Sequence, residues 1–386
     1  MTKSLRIVVP IHSFEPGGVE RVGLGLAKTW DDKGHAVTVV LGRDEGMDRN
    51  QAPSIRYRSI TFPISTARFE TIWMVWSLLV YLRHNKADVL FCPGNTYAIV
   101  CVAMRVLLGS RCPPVIAKIS NDLVRADRPW LFRIGYRLWL RLQARFFARL
   151  VGMAEPMREE IACFMSARSE QIAVVPDPAL ELRRLQRLMA MQRERDLGPS
   201  VHFIAIGRLV PQKNFPLLIR AFAKAFRFGD RLTIVGDGPE RACLENLVKK
   251  LAICDRVQFT GHLSSPDAWL KRADCLLLSS DYEGVPAVVL EAIAAGLPII
   301  ATECSMSMSE LLGYGSRGVM VPVGDDEGFA AAIRDVLTLP RLGMKDRSFC
   351  MNFTLERGAE QYLSLMQTVQ SGLSSEHAQA LPVTPS

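Results

Sequence analysis

The sequence predicts an α/β protein built from two Rossmann-like, doubly wound domains facing a cleft. Short apolar runs alternate with helical patterns along its 386 residues, the order that builds parallel sheets covered by helices. The alternation restarts after Pro176, so the chain holds two such series. Its length suits two or three domains, at roughly 100–200 residues each.

In the first series, runs at 5–11, 36–41, 89–92, 115–119 and 150–153 read as strands. Helical patterns near 19–33, 67–85, 96–108 and 129–149 separate them. Residues 179–200, rich in Arg, Glu and Gln, read as a charged helical linker. The second series places strands at 201–206, 232–235, 257–260, 275–278, 298–301 and 319–321. Its helices lie near 214–228, 239–252, 266–272, 286–295 and 326–338. The domains are thus 1–178 and 201–350, followed by a helix over 351–370. The last residues, SGLSSEHAQALPVTPS from 371 to 386, read as a disordered tail.

Composition removes several classes. With 49% hydrophobic and 22% charged residues, the chain is too apolar to stay unfolded. The first residues run straight into a strand pattern, which argues against a secretory leader. No stretch approaches the roughly 20 apolar residues of a spanning helix. Nine Cys, with no CxxC pair, fit reduced thiols in the cytoplasm rather than disulfides or structural zinc.

The net charge of +8 is local. Residues 1–178 hold 24 Lys+Arg against 16 Asp+Glu, and the remainder holds 23 of each. Residues 101–150 alone hold ten Lys+Arg and two acids, an asymmetry that points to an anionic partner. At about 100° per residue, Arg133, Arg137, Arg141, Arg145 and Arg149 share one side of a helix. Phe132, Tyr136, Trp139, Leu140, Leu142, Phe146, Phe147 and Leu150 fill the other. The first expectation is that this apolar arc packs on the sheet, with the Arg face solvated or turned to phosphates. The second is attraction of that outward Arg face, around 128–149, to an anionic membrane, and a further reading lays the helix on the membrane with its aromatic face in the interface. Nucleic acid is disfavoured, because the aromatics stand opposite the arginines instead of between them.

Four segments carry candidate chemistry. After the first strand come His12 and then Gly17-Gly18 at the start of a helix. These glycines either let a ligand approach the helix N-terminus or form a tight turn. No GxGxxG fingerprint is present, which disfavours nicotinamide binding. Arg208 and Lys213 follow the 201–206 strand, on the edge where open α/β sheets bind ligands. They suit a diphosphate or are solvated surface charges. Val235-Gly-Asp-Gly-Pro-Glu240 reads as a turn into a helix. The fourth segment runs from Ser279 to Pro298. Glu283 lies in a loop, and Gly284, Val285 and Pro286 lead into a helix whose first N–H groups suit an anion. Glu291 sits inside that helix between Leu290 and Ala292. A carboxylate there needs partners, either sugar and ribose hydroxyls or a salt bridge.

Glu283 and Glu291, in an EG-x-P…LEA…G-x-P frame, resemble the signature of glycosyltransferase family 4. GR-x-x-x-QKN, IVGDGPE, FTGHL and PGGVE resemble further landmarks of that family in the same order. The resemblance covers about residues 5–370 and implies the GT-B fold, the terminal helix crossing back to the first domain. It also implies retaining, metal-independent transfer of a hexose from a nucleotide sugar, which is a substrate, so no cofactor is expected. Arg208 and Lys213 would then hold the donor diphosphate and stabilise the departing phosphate. Glu283 would hold the transferred sugar and Glu291 the ribose. Gly261, His262 and Leu263 lie where the family grips the base, although His262 also reads as a plain loop residue. Gly17 and Gly18 would cover the diphosphate from the first domain.

Two departures stand out. Ser120-Asn121-Asp122 occupies a turn where many members carry His. Asn121 and Asp122 would contact the acceptor, together with His12, or the transferred sugar, or else shape the turn or cap a helix. Cys304-Ser-Met-Ser-Met-Ser-Glu310 replaces a Gly-rich loop, so donor identity does not carry over. The expected enzyme uses a UDP-sugar and a lipid-linked or cell-envelope glycan acceptor, in the cytoplasm at the inner face of a membrane. A GT-B sugar-nucleotide epimerase, a donor-binding relative without activity and a basic nucleic-acid-binding protein are the alternatives.

Overall fold

The computed structural model describes residues 4–15, 17–60, 69–120, 123, 129–191, 200–263 and 265–379. The chain divides into two compact units, one of residues 1–179 with 355–386 and the other of 180–354.

The first unit runs β1 (Arg6–Ile11), α1 (Gly18–Asp32), β2 (Ala36–Leu41), β3 (Arg56–Ser59), α2 (Glu70–His84), β4 (Val89–Cys92) and α3 (Ala98–Leu108). It continues with β5 (Val115–Lys118), α4 (Trp130–Phe146), β6 (Arg149–Gly152), α5 (Met157–Met165) and β7 (Ile172–Val174). The seven strands pair in parallel in the order β3-β2-β1-β4-β5-β6-β7. Every residue of β1 after Arg6 is buried. A strand covered on both faces has no polar side to show, hence the unbroken Ile7-Val-Val-Pro-Ile11 run.

The second unit runs α6 (Leu182–Met189), β8 (His202–Ile206), α7 (Phe215–Ala225), β9 (Arg231–Val235), α8 (Arg241–Lys250), β10 (Val257–Gly261) and α9 (Asp267–Arg272). After these come β11 (Cys275–Leu278), α10 (Ala287–Ala294), β12 (Ile299–Thr302), α11 (Met308–Leu311), β13 (Gly318–Val321), α12 (Asp326–Arg334) and α13 (Met344–Phe349). Its parallel sheet is ordered β10-β9-β8-β11-β12-β13. Phe203, Leu232, Ile234 and Leu277 point to one side and pack with Leu218 and Phe222 of α7 and Phe329 of α12.

The final helix, α14 (Leu355–Gln379), belongs to the first unit. The Trp30 indole donates to Ala359 O at 3.0 Å. Tyr362 lies edge-on to Phe91, ring centroids 5.1 Å apart.

Three expectations need correction. Residues 182–189 are not a free linker but α6, packed on α10 inside the second unit through the fully buried Leu185 and Leu188. Charge hid them, since only two positions of that helix face the core. The backbone stays helical through Gln379, nine residues into the expected tail, because extending an established helix costs little. The apolar arc of α4 packs in part: Leu140, Phe147 and Leu150 are buried and Tyr136, Trp139 and Phe146 half-buried, whereas Phe132 and Leu142 are exposed. Trp130, Leu131 and Leu138, which stand on the arginine side, are 67%, 66% and 61% exposed, and Ile134 beside them is exposed as well. The helix packs mainly on α5 and on α3, and its arginine side, with the apolar residues among the arginines, faces outward. Among the described residues no helix is long and apolar enough to cross a membrane.

Candidate active site

Each sheet reverses its winding once, at β1/β4 and at β8/β11. The crevice beyond the carboxyl ends of such a strand pair is where open α/β sheets take ligands. In the second unit, Arg208 and Lys213 follow β8, and Glu283 follows β11.

The Arg208 loop is shaped by two close backbone approaches. A Cβ on Gly236, whose φ is +146°, would lie 1.9 Å from Gly207 O, and one on Gly238 would lie 2.5 Å from Leu209 O. Leu209 N donates to Asp237 O at 2.9 Å, completing the seam. The VGDG turn thus needs its glycines to seat the residues on either side of Arg208. That side chain is exposed and has no hydrogen bond or ion pair among the described residues.

Lys213 is placed differently. Its Nζ forms an ion pair with Glu283 Oε1, both side chains being largely buried. Its carbonyl accepts from Ser279 Oγ at 2.9 Å. Gln212 Nε2 donates to Tyr282 O at 2.8 Å, and Asn214 Nδ2 to Asp281 Oδ1 at 2.7 Å. The two loops after β8 and β11 are therefore stitched together around the Lys213–Glu283 pair. The Ser- and Met-rich segment supports them from behind. Glu283 N donates to Cys304 O at 2.7 Å, and Ser307 Oγ to Gly284 O at 2.9 Å. Burial first, then the neighbouring Glu283 carboxylate, pushes the Cys304 thiol up to about 12, so it stays a neutral packing group.

Pro286 stands at the N-cap of α10, and no side chain caps its first turn. Val285 is half-buried in the same turn. Further along the helix, Glu291 is 5% exposed and is paired with protein. Arg184 of α6 donates Nη1 to Glu291 Oε1 at 2.6 Å. The same guanidinium donates Nε and Nη2 to Asp267 Oδ1 of α9 at 3.2 and 3.0 Å. The salt-bridge alternative for Glu291 is realised, by a residue in the stretch read as a linker. Burial opposes the Arg184 charge, but the two carboxylates outweigh it and raise the pKa. Gly261, at φ +75°, accepts from Gly236 N at 2.9 Å. Next to it His262 is exposed and Leu263 half-buried.

The first unit presents its own cluster beyond β1. The His12 ring stacks on Tyr97 at 4.6 Å, and the His12 backbone N–H donates to the Tyr97 hydroxyl at 3.0 Å. Tyr97 in turn donates to Glu20 Oε1 at 2.8 Å. Burial lowers the His12 pKa, partly offset by Glu70 and Glu20, and its Nδ1 is buried without a hydrogen bond. Burial, with Glu20 next, drives the Tyr97 phenol far up, leaving a neutral donor. Gly17 is the extended N-cap of α1, and Gly18 is exposed and open around its α-carbon. Asn121 and Asp122 lie outside the described residues. Ser120, just before them, is fixed by a reciprocal pair with Asn95, at 3.2 and 3.0 Å. Among the described residues no cluster of His, Cys, Asp and Glu could hold a metal ion.

Residues 17–178 match the family described as glycosyl transferase 4-like domain, and residues 193–349 that of glycosyl transferases group 1. The lipopolysaccharide core biosynthesis glycosyltransferase LpsD of Rhizobium meliloti is 29% identical, over 87% of this chain and 89% of its own length. An exopolysaccharide phosphotransferase of Streptomyces coelicolor is 32% identical over 53% of this chain, a match spanning 21% of that longer protein. Among solved structures, the lipopolysaccharide outer core galactosyltransferase WaaB superimposes with a TM-score of 0.72 at 18% identity, covering 94% of this chain and 99% of that one. Anabaena HepE in complex with UDP and glucose gives the same score, identity and coverage. At such identity these likenesses speak to the fold, which is GT-B.

Proposed function

With a glycosyltransferase family matching each half, the chain belongs to the family 4 type of glycosyltransferases, and we propose that it moves a hexose, with retention, from a UDP-sugar to a glycan acceptor of the cell envelope. The observation that carries this reading is an exposed Arg208, without a partner among the described residues, next to the Lys213–Glu283 contact at the β8/β11 reversal. As the sugar–phosphate bond breaks, negative charge grows on the leaving diphosphate. Arg208 and Lys213 would stabilise it without a metal, assisted by the uncapped first turn of α10 after Gly284, Val285 and Pro286.

Glu283 would bind hydroxyls of the transferred sugar and Glu291 those of the ribose. Gly261, His262 and Leu263 would border the base, and Gly17 and Gly18 would approach the diphosphate. His12, neutral and with an idle Nδ1, suits a hydroxyl of the acceptor, alongside Asn121 and Asp122. The names of LpsD and WaaB support a lipopolysaccharide or related polysaccharide as product.

The exposed side of α4 supports a lipid-linked acceptor met at a membrane. It presents Trp130, Leu131 and Leu138 beside Arg133, Arg137 and Arg141, apolar groups for the interface and cations for anionic headgroups.

The test is nucleotide release from a panel of UDP- and GDP-sugars, with and without a lipid extract as acceptor and in the presence of EDTA. Product anomeric configuration is read by NMR. UDP release that depends on acceptor and survives EDTA supports the proposal. Inversion at the anomeric carbon, or formation of a new nucleotide sugar without acceptor, would overturn it, the latter in favour of an epimerase.

A further inference from the structure

Glu291 poses a problem for a ribose-binding role, because it is buried and already in a salt bridge. Arg184 takes Oε1, and among the described residues no hydrogen bond reaches Oε2. A carboxylate with one oxygen anchored and the other idle is oriented, not consumed. The anchor is itself fixed. The Arg184 fork divides between two helices, Nη1 going to Glu291 on α10 and Nε with Nη2 going to Asp267 on α9.

The helix that carries Arg184 is clamped at its other end. Arg347 of α13 donates Nη2 to Leu188 O at 3.0 Å and to Met189 O at 2.6 Å, and Nε to Ala294 O at 2.8 Å. One guanidinium thus holds the last carbonyls of both α6 and α10, groups that have no partner within their own helices. The fully buried Leu185 and Leu188 fill the space between. Nothing in this arrangement lets Arg184 follow a wandering carboxylate, and its planar fork fixes direction as well as charge.

We propose that Arg184 is a positioning residue that holds Glu291 by Oε1, so that Oε2 is aimed at the ribose hydroxyls of the donor nucleotide. The inference rests on the ribose role given to Glu291 above. Asp267 is the second tether, keeping the guanidinium in the plane that reaches α10. The ion pair also offsets the cost of burying the carboxylate, so a purely structural role must be separated from a positioning one.

Two ligands and two variants separate them. Binding of UDP and of 2′,3′-dideoxy-UDP is measured by calorimetry, with GDP and its dideoxy analogue used if UDP does not bind. The unaltered protein is expected to prefer the full ribose about 30-fold, the worth of hydrogen bonds to a charged oxygen. In Arg184→Lys a single ammonium reaches one carboxylate at a time. The preference should fall to about threefold, with donor KM rising about tenfold and kcat changing by less than about threefold. An unchanged preference in a folded Arg184→Lys protein overturns the inference. Asp267→Asn, which leaves the Arg184–Glu291 bond in place, should lower the preference by a smaller factor and carries the test if Arg184→Lys does not fold. There too, an unchanged preference overturns the inference. If the unaltered protein binds both nucleotides equally, the ribose role of Glu291 falls and the inference with it.

Discussion

Arg208 and Lys213 carry the same charge in different settings, and their substitutions should separate catalysis from stability. Either residue changed to Ala should lower kcat by about 10²–10³, the usual loss for one group opposing developing charge. Arg208 has no partner among the described residues, so Arg208→Ala should shift stability by no more than about 0.5 kcal/mol. Lys213→Ala strands the largely buried Glu283 carboxylate and should cost about 1–3 kcal/mol. Donor turnover with parallel thermal melts checks both. Histidine sets a pH dependence at the same scale. Burial lowers the pKa of His12, His35 and His202, and the His35 ring accepts from Leu5 N at 3.1 Å, which requires it neutral. The unfolded chain therefore binds more protons below pH about 6.5, so stability is full above that value and falls as pH drops toward the depressed folded values. Melts between pH 7.5 and 5.5 should show a falling midpoint, and changing all three to Gln should flatten it. A slope unchanged by the triple substitution would refute this assignment.

Whole elements were more readable than their partners. The buried strands β1, β2, β4 and β11 announce themselves as Val, Ile and Leu runs, and the Glu283 loop and α10 are legible from composition and spacing. The edge strands are not. β3 is Arg-Tyr-Arg-Ser and β7 has three residues, and a strand paired on one side or so short leaves no pattern. Arg184 was unreadable for a related reason: a short charged helix looks solvated until its two buried leucines have something to pack on. On α4 periodicity separates the two sides, and Trp130, Leu131 and Leu138 fall on the arginine side, where they stand exposed. Those exposed residues yield a prediction. Trp130→Glu with Leu138→Glu should reduce binding to vesicles containing anionic lipid by more than about tenfold, given roughly 1.5–3 kcal/mol per apolar side chain buried. Neither residue supports the core, so the melting midpoint should hold. Co-sedimentation over a salt series reads both the apolar and the charged contributions, and undiminished binding by the double variant would remove α4 from the membrane contact.

At the scale of the whole molecule, the chain enters the second unit at Leu180 and leaves it at Thr354, and those two residues form a parallel bridge. The second unit is thus one continuous stretch with its ends together, whereas the first is completed by α14 from the far end of the sequence. A chain stopped before Leu355 should lose the cover of Trp30 and Tyr362's contact with Phe91. The first unit should then melt well below its intact midpoint, and the second should be little changed. Tryptophan emission reports this through Trp30, which is fully buried in the intact chain. An unshifted first transition would show that α14 is dispensable. The same connectivity orders events on the ribosome. Residues 1–179 are made before the helix that completes their unit, and that unit closes only once residues 355–379 have followed. The second unit, needing nothing downstream of itself, can fold while its predecessor waits. A nascent chain therefore carries its first unit open while the second is being made, and a chain interrupted between Thr354 and α14 would spoil the half that was made first.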